Sequence, residues 1–211
     1  MLVLATFTWA ADKAKDEETL RNANNVLQAM LDANTVPVDL LAKTKCVLVL
    51  PGVKKFGFGV GGSGGRGPLL CRTGKNGTWS GPVMYTIGGV SAGFQVGGSS
   101  TDFVLLVMSQ KGLDALMNGK MKLGNEATAT AGPSGATSAD VGSDILTYGR
   151  AKGLFAGVSL GGASLEADKD ANQRLYGKEV SASDIAVKNT VTTPESGKPL
   201  ATLLNSKTSG K

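Results

Sequence analysis

The residues that could do chemistry are few, and one type is missing: the 211-residue chain contains no histidine. Ser-His-Asp and Cys-His nucleophile systems therefore cannot form. A His-containing zinc site is equally impossible, and two cysteines are too few for a Cys₄ site. Carboxylates remain. A hydrolase could draw an acid–base pair from Asp102, Glu126, Asp140 and Asp144. No spacing brings two of them together, and Asp102, next to Ser99-Ser100-Thr101, reads as a turn or strand-cap residue. Asp168, Asp170, Asn172 and Glu179 fall at positions 1, 3, 5 and 12 of a calcium loop. Position 6 of that loop turns on glycine, and here it is Gln173. Capping of a short helix by Asp168 or Asp170 explains the same residues. Gly57-x-Gly59-x-x-Gly62 matches a dinucleotide fingerprint, which works only where a helix starts on the loop and aims its amides at phosphate. Here more glycine follows, then another apolar strand, and no Gly-Lys-Ser/Thr P-loop exists. The expectation is a protein without catalytic residues, cofactor or metal.

The strongest physical signal is charge segregation. No Asp or Glu lies between Asp39 and Asp102, whereas that span carries Lys43, Lys45, Lys54, Lys55, Arg66, Arg72 and Lys75, a net +7. The whole chain is +5, so the remainder is −2. These bases interrupt strands and turns beside Phe56, Phe58 and Trp79, aromatics that read as exposed. A basic surface with apolar tips suits an anionic bilayer, at about 1 kcal/mol per base near the surface. The bland alternative is the solvated face of a basic protein. No nucleic-acid-binding motif is present, so no nucleic-acid partner is expected.

The elements that must position these residues follow from periodicity. Apolar residues Leu20, Ala23, Leu27, Met30 and Leu31 recur at spacings of three and four, which predicts a helix from Asp16 to Asn34. A short second helix is expected at Val36–Leu41, with Pro37 near its first position. Cys46–Leu50 reads as a buried strand ended by Pro51-Gly52. Further strands are expected near Phe56–Val60, Pro68–Arg72, Thr78–Ser80, Val83–Ile87, Ala92–Val96, Asp102–Met108, Met121–Leu123, Ala127–Ala131, Ile145–Tyr148 and Leu154–Leu165. Ser109 should cap a helix over Lys111–Met117, and Ala131–Ser143 reads as a surface loop. Short helices are expected at Asp170–Tyr176 and Ser183–Val187, with a last helical turn at Leu200–Leu204.

Of the 30 glycines, 27 fall between Gly52 and Gly162, and three segments share one form. Gly57-Phe-Gly-Val-Gly-Gly62, Gly93-Phe-Gln-Val-Gly-Gly98 and Gly157-Val-Ser-Leu-Gly-Gly162 each read Gly, apolar, any, apolar, Gly, Gly. Tyr85-Thr-Ile-Gly-Gly89 is a shorter relative. Glycine pairs at strand ends permit bulges, sharp bends or close backbone approach. Closely spaced strands favour antiparallel pairing. The predicted fold is therefore α+β: a strongly curved, mainly antiparallel sheet or partial barrel, with N-terminal helices and short C-terminal helices.

Residues 1–10 are nearly all apolar and end in Thr8-Trp9-Ala10, which resembles a signal-peptide remnant cleaved after Ala10. Residues 11–204 would then form one domain and 205–211 a polar tail. In an exported protein Cys46 and Cys71 could pair; two buried free thiols are the other reading.

One set of residues also resembles a known family. Lys45-Cys-Val-Leu-Val-Leu-Pro51, Gly57–Gly62, Gly65-Arg-Gly67, Trp79-Ser80 with Pro82, Gly93–Asp102, Leu123-Gly124 with Ala131-Gly-Pro133, Lys152–Leu160 and Leu175-Tyr-Gly177 occur in the order found in SYLF domains. The resemblance covers roughly Leu20 to Leu204, and the chain looks like the bacterial, exported type. It implies a lipid-binding module. Eukaryotic members bind phosphoinositides, some through an amphipathic N-terminal helix, and yeast relatives bind actin. An aromatic is common in the family where this chain has Gly64. The expected protein is a non-enzymatic, peripheral membrane module of the periplasm or outer envelope. It would bind anionic phospholipid through Lys43, Lys45, Lys54, Lys55, Arg66, Arg72, Lys75, Phe56 and Trp79. An envelope protein partner is the alternative, and actin enters only by analogy with eukaryotic relatives.

Overall fold

The computed structural model describes residues 3–58, 60–73, 77–92, 99–123, 129–131, 143–151, 154–156, 160 and 162–208. The first helix, α1, runs from Val3 to Asp32 and so begins thirteen residues before the periodic stretch that predicts it. It passes through Ala10 without a break. The apolar stripe from Leu20 to Leu31 is buried as its spacing requires, whereas none of Trp9–Lys15 is buried. Asn34, at φ +52°, ends the turn, and α2 follows at Val38–Lys43 with Pro37 at its N-cap.

The strands are β1 Cys46–Phe58, β2 Val60–Thr73, β3 Thr78–Trp79, β4 Val83–Ala92 and β5 Ser99–Val107. Helix α3, Gln110–Met117, starts where Ser109 accepts a hydrogen bond from the Gly112 amide. Then come β6 Lys120–Lys122, β7 Ala129–Ala131, β8 Ile145–Ala151, β9 Leu154–Ala156 and β10 Ser164–Ala167. The C-terminal third holds α4 Lys169–Tyr176, α5 Ala182–Ala186, a 3-10 turn at Glu195–Gly197 and α6 Lys198–Thr208. The sheet order is β6-β10-β4-β2-β1-β5-β8-β7, with β3 on β2 and β9 on β8. Every pair is antiparallel except β7 with β8.

Both faces of this sheet are covered. One apolar cluster joins Leu48, Leu50, Leu69, Tyr85, Phe103 and Leu105 to Met121, Leu165 and Ile145 from strands near opposite edges. Edge-to-edge meeting of this kind is what the inside of a curled sheet produces, and α3 and α5 close it. The outer face carries Val47, Val49, Leu70, Val104, Leu106 and Leu146 against α1, α2 and α6. The architecture is thus the α+β half-barrel that the glycine pairs and clustered strands predict.

Three boundaries differ from the expectation. The first strand does not stop at Pro51-Gly52 but continues to Phe58 through a bulge, with register shifts between Leu50 and Val53. Gly52 makes this possible at φ +60°, and its amide donates to Asp102 Oδ1 at 2.9 Å. The bulge restores the alternation of faces, so Val53 points into the inner cluster as Leu48 and Leu50 do. Second, the single strand expected at Leu154–Leu165 is two strands, β9 and β10, on opposite sides of the sheet. Third, α6 extends to Thr208, beyond the expected last turn. Gly67 shows what the glycine-rich composition permits: a Cβ there would sit 1.8 Å from the Val49 carbonyl oxygen. Of the three repeats, Gly57–Gly62 brackets the β1–β2 hairpin; Gly93–Gly98, Val158 and Ser159 lie outside the described residues, as does most of the expected loop at 131–143.

Candidate functional site

The seven bases are not one patch. β1 is 13 residues long, about 40 Å at the rise of an extended strand. Lys43 and Lys45 precede its first residue, and Arg72 lies beside its start, where Cys46 faces Cys71. Lys54 and Lys55 sit toward its other end, opposite Gly64 and Ser63 on β2 and Ser100 and Ser99 on β5. Nine residues separate Lys45 from Lys54, on the order of 25–30 Å along the strand. That is several Debye lengths at physiological salt, so the two groups act separately. Lys75 lies outside the described residues.

One of the bases and one aromatic are structural. Arg72 donates from Nε to the Thr44 carbonyl at 3.1 Å, from Nη1 to Gly77 at 3.0 Å and from Nη2 to Ala42 at 3.1 Å. Its guanidinium lies 4.8 Å from the centroid of the Trp79 ring. Burial lowers the Arg72 pKa. Trp79 is only 6% exposed, and its indole Nε1–H donates to Thr208 Oγ1 at 3.1 Å. It is therefore not an apolar tip but the post against which α6 docks. The short strand β3 sets it on the outer face, where α6 covers it. Cys46 and Cys71 are bonded as a disulfide across β1 and β2, buried in the inner cluster. Closing that loop constrains the unfolded chain by about 3 kcal/mol.

Arg66 takes part in a buried ion network. Asp16 on α1 has no exposed side-chain area and accepts from Arg66 Nη2 and from Arg174 Nε, the latter at 2.6 Å. The hydrogen bond to Asp16 raises the Arg174 pKa. Asp168 lies 3.8 Å from Arg66 and also caps α4, accepting from the Ala171 amide at 3.0 Å. Asn172 is buried and accepts from the Met84 amide at 2.7 Å. Of the calcium-loop pattern, Asp168 and Asn172 are thus committed to capping and packing, whereas Asp170 and Glu179 are exposed, and no metal-ligand cluster occurs among the described residues. The dinucleotide pattern is likewise a strand–strand hairpin, Phe58 opposite Val60, with no helix start. Of the scattered carboxylates, Asp144 accepts from Ser109 at 2.5 Å and lies 3.5 Å from Lys111. Glu126 and Asp140 lie outside the described residues.

What the fold does assemble is a rim and a groove. The rim is the end of the β1–β2 hairpin: Lys54 is exposed there, and Lys55, Phe56, Gly57 and Phe58 follow in register with Ser63, Gly62, Gly61 and Val60. The groove lies between α1 and the sheet, about 570 Å³ in volume, and the Gly52 bulge is part of its lining. Asn22 and Asn25 line it from α1; Arg66 and Arg150 line it from β2 and β8. Arg150 donates from Nε and Nη2 to Asp102 Oδ2 at 3.3 and 2.9 Å. Sequence reading missed Arg150, because only the β5–β8 pairing sets it opposite Asp102.

Comparison with known proteins gives a consistent match. A family model described as "Ysc84: Las17-binding protein actin regulator" covers residues 88–207. Protein YSC84 of Saccharomyces cerevisiae is 32% identical over 202 residues, covering 89% of this chain and 42% of its own length. An SH3 domain-containing protein of Schizosaccharomyces pombe is also 32% identical, over 89% of this chain and 46% of its own. The mouse SH3 domain-containing YSC84-like protein 1 is 31% identical, over 93% of this chain and 58% of its own. The chain thus spans about half the length of the curated relatives it matches.

Proposed function

Given that the chain belongs to the Ysc84 (SYLF) family, we propose that it is a non-enzymatic module that binds anionic phospholipid at a membrane surface. The observation that carries this reading is the hairpin rim: Lys54 exposed, Lys55 next to it, and two phenylalanines alternating with glycine beyond. Each base near an anionic surface contributes about 1 kcal/mol. Lys43 and Lys45, at the far end, belong to a separate surface, Arg72 and Trp79 serve the fold, and Arg66 pairs with Asp16 away from the rim. The Cys46–Cys71 disulfide supports an exported protein of an oxidising envelope compartment. No helix among the described residues is long and apolar enough to cross a membrane, and peripheral attachment is the mode proposed.

The test is cosedimentation with vesicles. Phosphatidylglycerol or cardiolipin vesicles should retain the protein, less so as salt rises, and neutral phosphatidylcholine vesicles should not. Charge reversal at Lys54 and Lys55 should reduce retention by roughly tenfold or more. Equal recovery with neutral vesicles, or none with either, overturns the reading. A protein partner is the second reading, favoured by the family description, which names a Las17-binding actin regulator. Stoichiometric capture of one protein without vesicle binding would select it.

A further inference from the structure

The groove under α1 holds more hydrogen-bond donors than its ion pairs use. Arg150 spends Nε and Nη2 on a single oxygen, Asp102 Oδ2, while Asp102 Oδ1 is taken by the Gly52 amide. Arg66 spends Nη2 on Asp16 and lies 3.8 Å from Asp168; its Nε is buried out of a ligand's reach, which leaves Nη1 as its donor outside the ion pairs. Among the described residues Asp102 is the one carboxylate in the groove lining, and its charge is already countered by Arg150. Asp16 lies behind Arg66, fully buried and held by two arginines. The groove therefore presents guanidinium N–H groups, with the amides of Asn22 and Asn25 one helical turn apart on the facing wall. Its volume lies in the range of small-molecule sites.

We propose that this groove is an oxyanion subsite that takes the phosphate of a small phosphorylated group. Arg66 and Arg150 grip the phosphate, and Asn22 and Asn25 bond to hydroxyls next to it. The planar guanidinium fork matches phosphate oxygens, and charge-assisted bonds of this kind are about twice as strong as neutral ones. The location fits a headgroup, since Gly52 in the groove lining stands two residues before exposed Lys54. That source rests on the membrane reading above; a free phosphorylated molecule is the other source of the same chemistry.

Glycerol 1-phosphate titrated into the full ¹⁵N-labelled chain tests the subsite. Saturable shifts are expected at the amides of Asn22, Asn25, Gly52 and Arg150, with potassium chloride giving none. Arg150→Gln should weaken the interaction roughly tenfold by removing a charge-assisted bond. Asn25→Asp should weaken it similarly; Asn25 is exposed on α1, so this variant adds repulsion without disturbing the core. Shifts that do not saturate, or unchanged titrations in both variants, overturn the proposal even if vesicles bind. If Asn25→Asp also lowers retention on phosphatidylglycerol vesicles, the source is the headgroup. If retention is unchanged while glycerol 1-phosphate binding is lost, the ligand is a free phosphorylated molecule. Saturable titration without any vesicle binding keeps the subsite and removes the membrane reading.

Discussion

Tyr148 shows how a single residue can be out of step with its surroundings. It is 3% exposed in the outer cluster, and its hydroxyl has no hydrogen-bond partner among the described residues. Burial pushes its pKa up to about 12, so the phenol stays neutral. A buried hydroxyl without a partner costs free energy that removing it recovers. Tyr148→Phe should therefore raise the unfolding free energy by on the order of 1 kcal/mol, seen as a higher urea midpoint; a lowered midpoint would mean that the hydroxyl is bonded. Residue identity in the sequence did not reveal such fates. Trp79 reads as a surface tip because it stands beside bases that interrupt strands and turns, yet α6, more than a hundred residues later, covers it. Arg66 reads as one more base until Asp16, 50 residues earlier, meets it.

At the scale of elements, local chemistry was the readable part. Ser109 and Asp168 cap α3 and α4 as their positions imply. Ser181 and Asp184 form a reciprocal box at the start of α5. Hydrogen bonds from the Ser181 hydroxyl and from Lys188 hold Asp184 down at about 2, below the ordinary carboxylate value. A carboxylate with a depressed folded pKa contributes stability above its unfolded value and loses it as pH falls through the folded one. The contribution of Asp184 should thus be complete above about pH 4 and disappear toward pH 2. Ser181→Ala should move the Asp184 titration upward, toward the ordinary value, as followed by carboxyl chemical shifts; an unmoved titration would place the effect on Lys188 and the Ser181 amide. Strand ends were less readable. Pro51-Gly52 has the composition of a stop, but whether a chain stops or bulges depends on the neighbour waiting for it, and Asp102 supplies the bond that keeps β1 in the sheet.

For the whole molecule, the curl was legible in the recurrent glycine pairs, but the site was not. Sequence groups the bases by position along the chain, and a 13-residue strand then carries them to opposite ends. The groove is assembled from α1, β1, β2, β5 and β8, which no spacing links. Asp16 holds much of this arrangement, binding α1 to β2 through Arg66 and to α4 through Arg174. Removing one member of a buried charge cluster leaves the others uncompensated. Asp16→Asn should lower stability by about 3–5 kcal/mol in chemical denaturation, whereas a loss below about 1 kcal/mol would mark the cluster as no stronger than a surface pair.

The docking of α6 on Trp79 gives the molecule a direction. Trp79 and Arg72 stand beside the Cys46–Cys71 end of the sheet, and the Lys54 hairpin stands at the other. A surface engaged by that hairpin would therefore have Thr208 at the opposite pole, carried away from it by the length of β1. On the proposed reading, the C-terminal end of α6, held by the bond from Trp79 to Thr208, would then lie on the side away from the plane of attachment.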